Sequence, residues 1–211
     1  MVTGPVTDVR PHPVIAIDGP AGSGKSTVSR ALAARLGIDR LDTGAMYRAV
    51  TWAVLDRGIA PADRDAVAEV ARAVRIGVGE RVTVDGTDVT EAIRGPAVST
   101  AVSAVAANPE VRAVMVHHQR TWAAERGGGV IEGRDIGSVV FPRADLKIYL
   151  TASTAERARR RPEEGADALS RRDRIDSTRQ VSPLEVADGA RVIDTTDRQV
   201  DDIVDEVVAW L

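Results

Sequence analysis

The chain has 211 residues, 44% of them apolar, with 28 Lys plus Arg against 31 Asp plus Glu and a net charge of −3. That length suits one domain carrying a modest insertion, and the near balance of charge supplies no general attraction to nucleic acid or to an anionic membrane. With no cysteine, and only His12, His117 and His118 for imidazole chemistry, the sequence excludes disulfides, Cys-ligated zinc, iron–sulfur clusters and a thiol nucleophile, and it suits a Ser/His/Asp triad poorly.

Before Val14 no apolar stretch reaches signal-peptide length, and the longest unbroken apolar run is Val207 to Leu211. Residues 1–13 therefore read as a flexible tail, and the protein as soluble and cytoplasmic. Val14 to Asp18 (VIAID) is a nearly continuous apolar run ending in a glycine-rich turn, the pattern of a strand buried on both faces. Ser26 to Leu36 follows with apolar residues at helical spacing until Gly37 stops it. The strand signal recurs at Val130 to Ile131, Leu146 to Leu150 and Arg191 to Asp194, each time followed by helical sequence. This alternation predicts the α/β class: a parallel sheet of about five strands with helices on both faces.

One stretch breaks the rhythm. Arg75 to Gly79 and Arg81 to Thr90 alternate and are β-branched, with Asp85-Gly86 as a two-residue hairpin turn. Helical sequence flanks them at Ala62 to Val74 and Pro96 to Ala107, so residues 62–107 read as a small antiparallel insertion. Pro109 to Glu125 and Asp197 to Trp210 complete the helices, and the domain is expected to span residues 14–211.

Gly19-Pro20-Ala21-Gly22-Ser23-Gly24-Lys25-Ser26 fits GxxxxGK[ST], continues into Thr27, and sits between a predicted strand and a predicted helix. Its glycines let consecutive backbone N–H groups converge on phosphate oxygens at a helix N-terminus, where the dipole favours anions. Lys25 would reach the β- and γ-phosphates, and the Ser26 hydroxyl would ligate Mg²⁺. A nucleoside triphosphate is thus the expected ligand. A switch GTPase would need an Asn-Lys-x-Asp guanine reader, which Asp145-Leu146-Lys147-Ile148 cannot supply, and Lys25 and Lys147 are the only lysines. A motor ATPase normally ends a second strand in two acids, whereas Val130-Ile131-Glu132 runs into Gly133-Arg134-Asp135. An arginine directly after that strand suits a second anionic substrate.

Leu41 to Arg48 (LDTGAMYR) falls where a second parallel strand should end, facing the phosphate loop. Thr43 and, one helical turn later, Arg48 offer a hydroxyl and a guanidinium fork to a phosphate, though an N-cap and a solvated arginine would give the same pattern. Arg157 and Arg161 are i and i+4 on one helix face and can touch one ligand.

These residues resemble the bacterial cytidylate kinases, relatives of the adenylate kinases. The stretches that carry the likeness are IDGPAGSGKST (Ile17 to Thr27), LDTGAMYR (Leu41 to Arg48), VSAVAANPEVR (Val102 to Arg112), EGRDIGSVVFPRADLKIYLTAS (Glu132 to Ser153) and DSTRQVSPL (Asp176 to Leu184). The resemblance implies Mg²⁺-dependent transfer of the γ-phosphoryl of ATP to CMP or dCMP, with a UMP/CMP kinase or a non-catalytic nucleotide-binding partner protein as the alternatives. In the family pattern Thr43, Arg48 and Arg134 match acceptor-phosphate contacts, and Ser103, Arg112 and Asp135 match the cytosine readers. Arg172 and Asp176 look like sugar contacts, and Arg179 is similar to a phosphate-clamping arginine in a lid spanning 157–180. By the same likeness Arg157 is a candidate to stack on adenine and Arg161 to meet the transferring phosphate. Lys25, Arg134, Arg161 and Arg179 would then do the catalytic work in a monomer that binds neither nucleic acid nor membrane. The stretch Pro162 to Ser170 is shorter than the family's usual lid.

Overall fold

The computed structural model describes residues 11–162, 173–178 and 184–211. Its main sheet has five strands in the order β2-β6-β1-β7-β8, all pairs parallel. The strands are β1 (Val14–Asp18), β2 (Arg40–Asp42), β6 (Gly129–Glu132), β7 (Leu146–Thr151) and β8 (Arg191–Asp194). The helices are α1 (Lys25–Leu36), α2 (Thr43–Asp56), α3 (Arg64–Ala73), α4 (Pro96–Ala106), α5 (Pro109–Arg126), α6 (Thr154–Arg160) and α7 (Val200–Val208).

All five residues of β1 are buried, which is why that strand reads as an unbroken apolar run rather than an alternating one. Its side chains divide between two cores. Val14 and Ala16 join Leu41 and Ile131 against α2, α4 and α5, while Ile15 and Ile17 join Ile148 and Leu150 against α1 and α7. Burying a side chain of that size stabilises by roughly 1.5–3 kcal/mol, so this one strand anchors both layers. The Asp145 carboxylate accepts from the Val14 amide at 2.7 Å and fixes the strand's start.

The insertion carries a separate three-stranded antiparallel sheet, β3 (Ile76–Val78), β4 (Val82–Val84) and β5 (Thr87–Asp88). Asp85 and Gly86 turn the chain between β4 and β5 with φ of 51° and 86°, the doubly positive pair that a tight hairpin of this hand requires. Three elements differ from the sequence reading. Helix α2 runs for 14 residues, because Asp42 accepts from the Ala45 amide and caps it directly after a short strand. The last helix is α7, shorter at both ends than the expected Asp197 to Trp210. The chain after β6 forms a π-helical turn, Ile136–Val140, closed by the Phe141 amide on the Ile136 carbonyl at 2.7 Å.

Of the residues read as a tail, 1–10 lie outside the described residues, whereas His12 donates to the Gly127 carbonyl and Pro13 accepts from the Gly129 amide, both at 2.9 Å. Among the described residues no helix is long and apolar enough to cross a membrane.

Candidate active site

The carboxyl ends of β1, β2 and β6 converge, and the loops leaving them form one crevice. From β1 the chain enters Gly19 to Gly24. Gly19 has φ of 147°, and a Cβ there would lie 2.1 Å from the Leu150 carbonyl oxygen, so the loop can pass beside β7 only with glycine at this position. Gly24, at φ 88°, is the N-cap of α1 and offers no side chain to its orphan amides, which remain available to an anion. Lys25 donates from Nζ to the Pro20 carbonyl at 2.7 Å, folding over the loop it belongs to. Thr27 is exposed in the first turn of α1, and the Ser23 hydroxyl is fully buried without a hydrogen-bond partner.

Ser26 reaches sideways to β6. Its hydroxyl donates to Glu132 Oε2 at 2.9 Å, and the Ser29 hydroxyl donates to Glu132 Oε1 at the same distance. Arg40 completes the cluster with a 2.5 Å contact to that carboxylate. Burial, and then the neighbouring Asp42 charge, push the Glu132 carboxyl above its usual range, while Lys25 and Arg40 pull it back. The Thr43 hydroxyl is buried and donates to the Glu132 carbonyl at 2.7 Å, tying the start of α2 to the end of β6.

On the opposite wall Arg48 extends from α2 to the Ile93 carbonyl at 3.1 Å and the Ser99 hydroxyl at 3.0 Å, joining α2 to the chain entering α4. Ser103 stands half-buried on α4. One turn on, the Ala106 carbonyl accepts from Arg112 of α5 at 3.2 Å. Arg112 is almost fully buried, forms an ion pair with Asp135, and lies 5.4 Å from the Tyr47 ring centre. Its Nε has no partner. Arg112 and Asp135 thus meet from two elements, and Ser103 lies one turn before Ala106 on α4.

Arg134 bridges the two walls. Its Nη1 donates to the Gly19 carbonyl at 3.2 Å, and its guanidinium lies 3.3 Å from Asp176 and 3.6 Å from Asp173. Arg157 is buried: it donates to the Ala21 carbonyl at 3.2 Å and pairs with Asp173. Helix α6 ends at Arg160, so Arg161 falls one residue past it and does not share a continuous helical face with Arg157. Arg160 takes the neighbouring place, donating to the Thr195 carbonyl at 2.7 Å and the Thr195 hydroxyl at 2.9 Å beside Gly24. Arg172 and Arg179 lie outside the described residues.

Residues 15–211 match the cytidylate kinase family. The chain belongs to that family. It is 50% identical over 211 residues to the cytidylate kinase of Mycobacterium avium (strain 104), with 92% of each chain covered. It is 49% identical over 209 residues to that of Rhodococcus opacus (strain B4), covering 90% of this chain and 91% of the other. A 47% identity over 216 residues to the bifunctional pantoate ligase/cytidylate kinase of Parasynechococcus marenigrum (strain WH8102) covers 93% of this chain and 43% of that longer protein. Membership makes the chain a nucleoside monophosphate kinase.

Sequence reasoning about this cytidylate kinase fold overlooked four groups that the geometry brings to the crevice: Asp18, Glu132, Asp173 and Arg160. Glu132 had a usable signal, an acid at the carboxyl end of a strand adjacent to β1. Asp18, the last residue of β1, had the same signal, whereas nothing in the sequence around Arg160 or Asp173 pointed to their partners Thr195 and Arg157. No cluster of three or more His, Cys, Asp or Glu able to hold a metal occurs among the described residues. A hydroxyl–carboxylate pair at a helix N-terminus, Ser26 with Glu132, fits Mg²⁺, which keeps several waters and is usually held through one or two protein groups and substrate phosphates.

Proposed function

We propose that the protein transfers the γ-phosphoryl group of ATP to CMP or dCMP, yielding ADP and CDP or dCDP. The observation that carries this reading is Arg134, whose guanidinium lies on the first carbonyl of the phosphate loop while its neighbour Asp135 pairs with Arg112. The contacts to the phosphate loop and to the proposed base-reading pair thereby come from adjacent residues. An oxygen of the CMP phosphate attacks the γ-phosphorus, the bond to the bridging oxygen breaks, and ADP leaves with that oxygen.

Glycine amides of residues 19–24 and Lys25 hold the triphosphate, and Thr43, Arg48 and Arg134 hold the acceptor phosphate in line. Arg161 and Arg179 stabilise negative charge that spreads over the equatorial oxygens. Ser26, with Glu132 behind it, would hold Mg²⁺, which supplies further charge neutralisation when bound. Since the second ionisation of a phosphate monoester lies near pH 6, CMP is already charged and needs no strong general base. Ser103, Arg112 and Asp135 read cytosine, with the carboxylate accepting from the exocyclic amine. Arg172 and Asp176 bind the sugar. Arg157 belongs to the donor side, given its contact with the Ala21 carbonyl, and reaches adenine once Asp173 releases it. Residues 62–107 act as the acceptor-binding insertion and 157–180 as a short lid of one domain, residues 14–211, working as a cytoplasmic monomer.

A coupled ADP-release assay across CMP, dCMP, UMP and AMP tests the proposal. Turnover with CMP and dCMP far above UMP and AMP is expected. Comparable turnover of UMP would make the protein a UMP/CMP kinase, and ATP binding without ADP release would make it a nucleotide-binding protein only.

A further inference from the structure

Asp18, the last residue of β1, is 4% exposed and has no part in the chemistry above. Its two carboxylate oxygens accept from the backbone amides of Ile136 and Gly137, at 2.8 and 2.7 Å. Those amides are the first donors of the π-helical turn Ile136–Val140, which the turn itself leaves without acceptors. The residue that would ordinarily satisfy them is the one preceding the turn, Asp135, yet Asp135 makes no capping hydrogen bond. Its carboxylate points instead to Arg112. A carboxylate 118 positions away in sequence has taken over the capping role and left Asp135 available to a ligand.

The same junction is laced at two further points. The Gly133 amide donates to the Ile17 carbonyl at 2.9 Å, and Arg134 donates to the Gly19 carbonyl at 3.2 Å. Residues 17–19, which lead into the phosphate loop, thus hold residues 133–137 at four successive points. Space around the cap is tight: a Cβ on Gly137 would meet Asp18 Oδ2 at 3.4 Å, and the Ala187 Cβ and Lys147 Cδ at 3.3 Å. The turn cannot drift without losing these bonds.

We infer that Asp18 is a positioning residue for base discrimination: it fixes the Asp135 carboxylate from the donor side of the site by capping the turn that carries it. This rests on Asp135 reading the base. An acceptor whose backbone is pinned cannot retreat from uracil O4, so the repelling contact with UMP keeps its full cost, and loosening the pin lets UMP in. The groups facing Asp18 are Lys25 from the start of α1, Asp135 from the turn, Tyr149 of β7 and the stem of Lys147, whose ammonium is engaged by the Asp188 carbonyl. Burial is the main cause that raises the Asp18 carboxyl to about 6, with the Gly137 and Ile136 amides opposing it and Asp135 adding to it. Protonation turns one acceptor oxygen into a hydroxyl donor and so leaves one of the two amides without its partner.

The experiment is the ratio of kcat/KM for CMP to that for UMP, measured on the wild type, Asp18→Asn and Asp135→Asn. The two substrates share their phosphate titration, so the ratio cancels it. Asp18→Asn keeps the shape but only one acceptor oxygen. Its ratio is expected to fall about tenfold while KM for ATP stays within about twofold, a split that general loosening would not produce. In the wild type the ratio is expected to fall as pH drops from about 8 to about 5.5, and in Asp18→Asn to be flat. A normal ratio in Asp18→Asn beside a lowered one in Asp135→Asn overturns the inference and leaves the base reader standing. An unchanged ratio in Asp135→Asn overturns both. Should Asp18→Asn fail to fold, the wild-type profile decides alone, and a ratio that does not change with pH overturns the role given to Asp18.

Discussion

The two walls of the crevice are built in opposite ways. The wall proposed for the donor is one unbroken segment, from Gly19 through the phosphate loop to Ser26, and its shape follows from glycine backbone angles and a helix N-terminus. The wall proposed for the acceptor is assembled from α2, α4, α5 and the turn after β6, and nothing local holds its parts together. What holds them is a set of directed side-chain contacts: Arg48 on Ile93 and Ser99, Arg112 on Ala106 and Asp135, and Asp18 under the turn. A wall made of backbone concentrates its function in single atoms. A wall made of side-chain contacts spreads it, and there selectivity can be lost without losing the fold.

The sharpest break of that contrast is on the donor wall. Lys25→Met keeps the stem and removes the charge, and it should lower kcat by a factor on the order of 10³, or ~4 kcal/mol. Its thermal unfolding midpoint should fall by no more than about 2–4 °C, the value of about 1 kcal/mol in a chain of this size, because its hydrogen bond is to its own loop while its charge also offsets buried Glu132 and Asp18. Near-normal turnover would mean that the loop does not hold the transferring phosphoryl group.

Next in size, Gly19→Ala tests whether backbone shape really is what the donor wall depends on. The new methyl would have to displace the Leu150 carbonyl from 2.1 Å, at a φ of 147° that side chains rarely adopt. A loss of about 2–4 kcal/mol in urea unfolding is expected, together with weaker ATP binding. Full stability and affinity would show that the loop can shift, and the contrast between the walls would then be one of degree.

The same difference explains what could be read in advance. The phosphate loop and the Asp85-Gly86 turn are legible because their requirements are local: a run of residues states both the backbone angles and the context. The alternation of strand and helix likewise gave the parallel sheet, since burial on both faces makes β1 apolar throughout. Thr43 and Arg48 carry a weaker local signal, a hydroxyl and a guanidinium one helical turn apart where a strand should end, whereas the grouping of Ser103, Arg112 and Asp135 came from resemblance. The π-helical turn was unreadable because its cap, Asp18, lies in another strand, and the burial of Arg157 was unreadable because its counter-ion Asp173 approaches from outside α6. Glu132 was weighed only as a missing motor-ATPase signature, although its contacts with Ser26, Ser29 and Arg40 make it the charged centre behind the loop.

A smaller effect is expected where a single contact of the acceptor wall is removed. Arg48→Ala takes away both the proposed phosphate donor and the link from α2 to the Ile93 and Ser99 region. KM for CMP should rise by about tenfold, the value of one charge-assisted hydrogen bond, and KM for ATP by less than about twofold. Initial rates with one substrate saturating separate the two. A larger change for ATP than for CMP would put Arg48 at the wrong end of the crevice.

The smallest effect comes from an ion pair that belongs to neither wall. Arg35 at the end of α1 meets Asp205 of α7 at 2.6 Å, with 48% and 63% of the two side chains exposed. Its geometry is as close as that of the acceptor pair Arg112–Asp135, yet the surroundings are opposite, since those side chains are only 3% and 6% exposed. Water screens the outer pair, and holding two long side chains together offsets most of the attraction, so a double-mutant cycle of Arg35→Ala and Asp205→Ala should give a coupling of about 0–1 kcal/mol that shrinks further in salt. Removing one partner of the inner pair strands a buried charge, and Arg112→Ala should therefore cost about 3–5 kcal/mol in urea unfolding. If the outer pair proved the more strongly coupled, burial would not be what gives the acceptor contacts their weight. A salt-insensitive cost confined to Arg112→Ala would instead place the integrity of that wall in one desolvated contact.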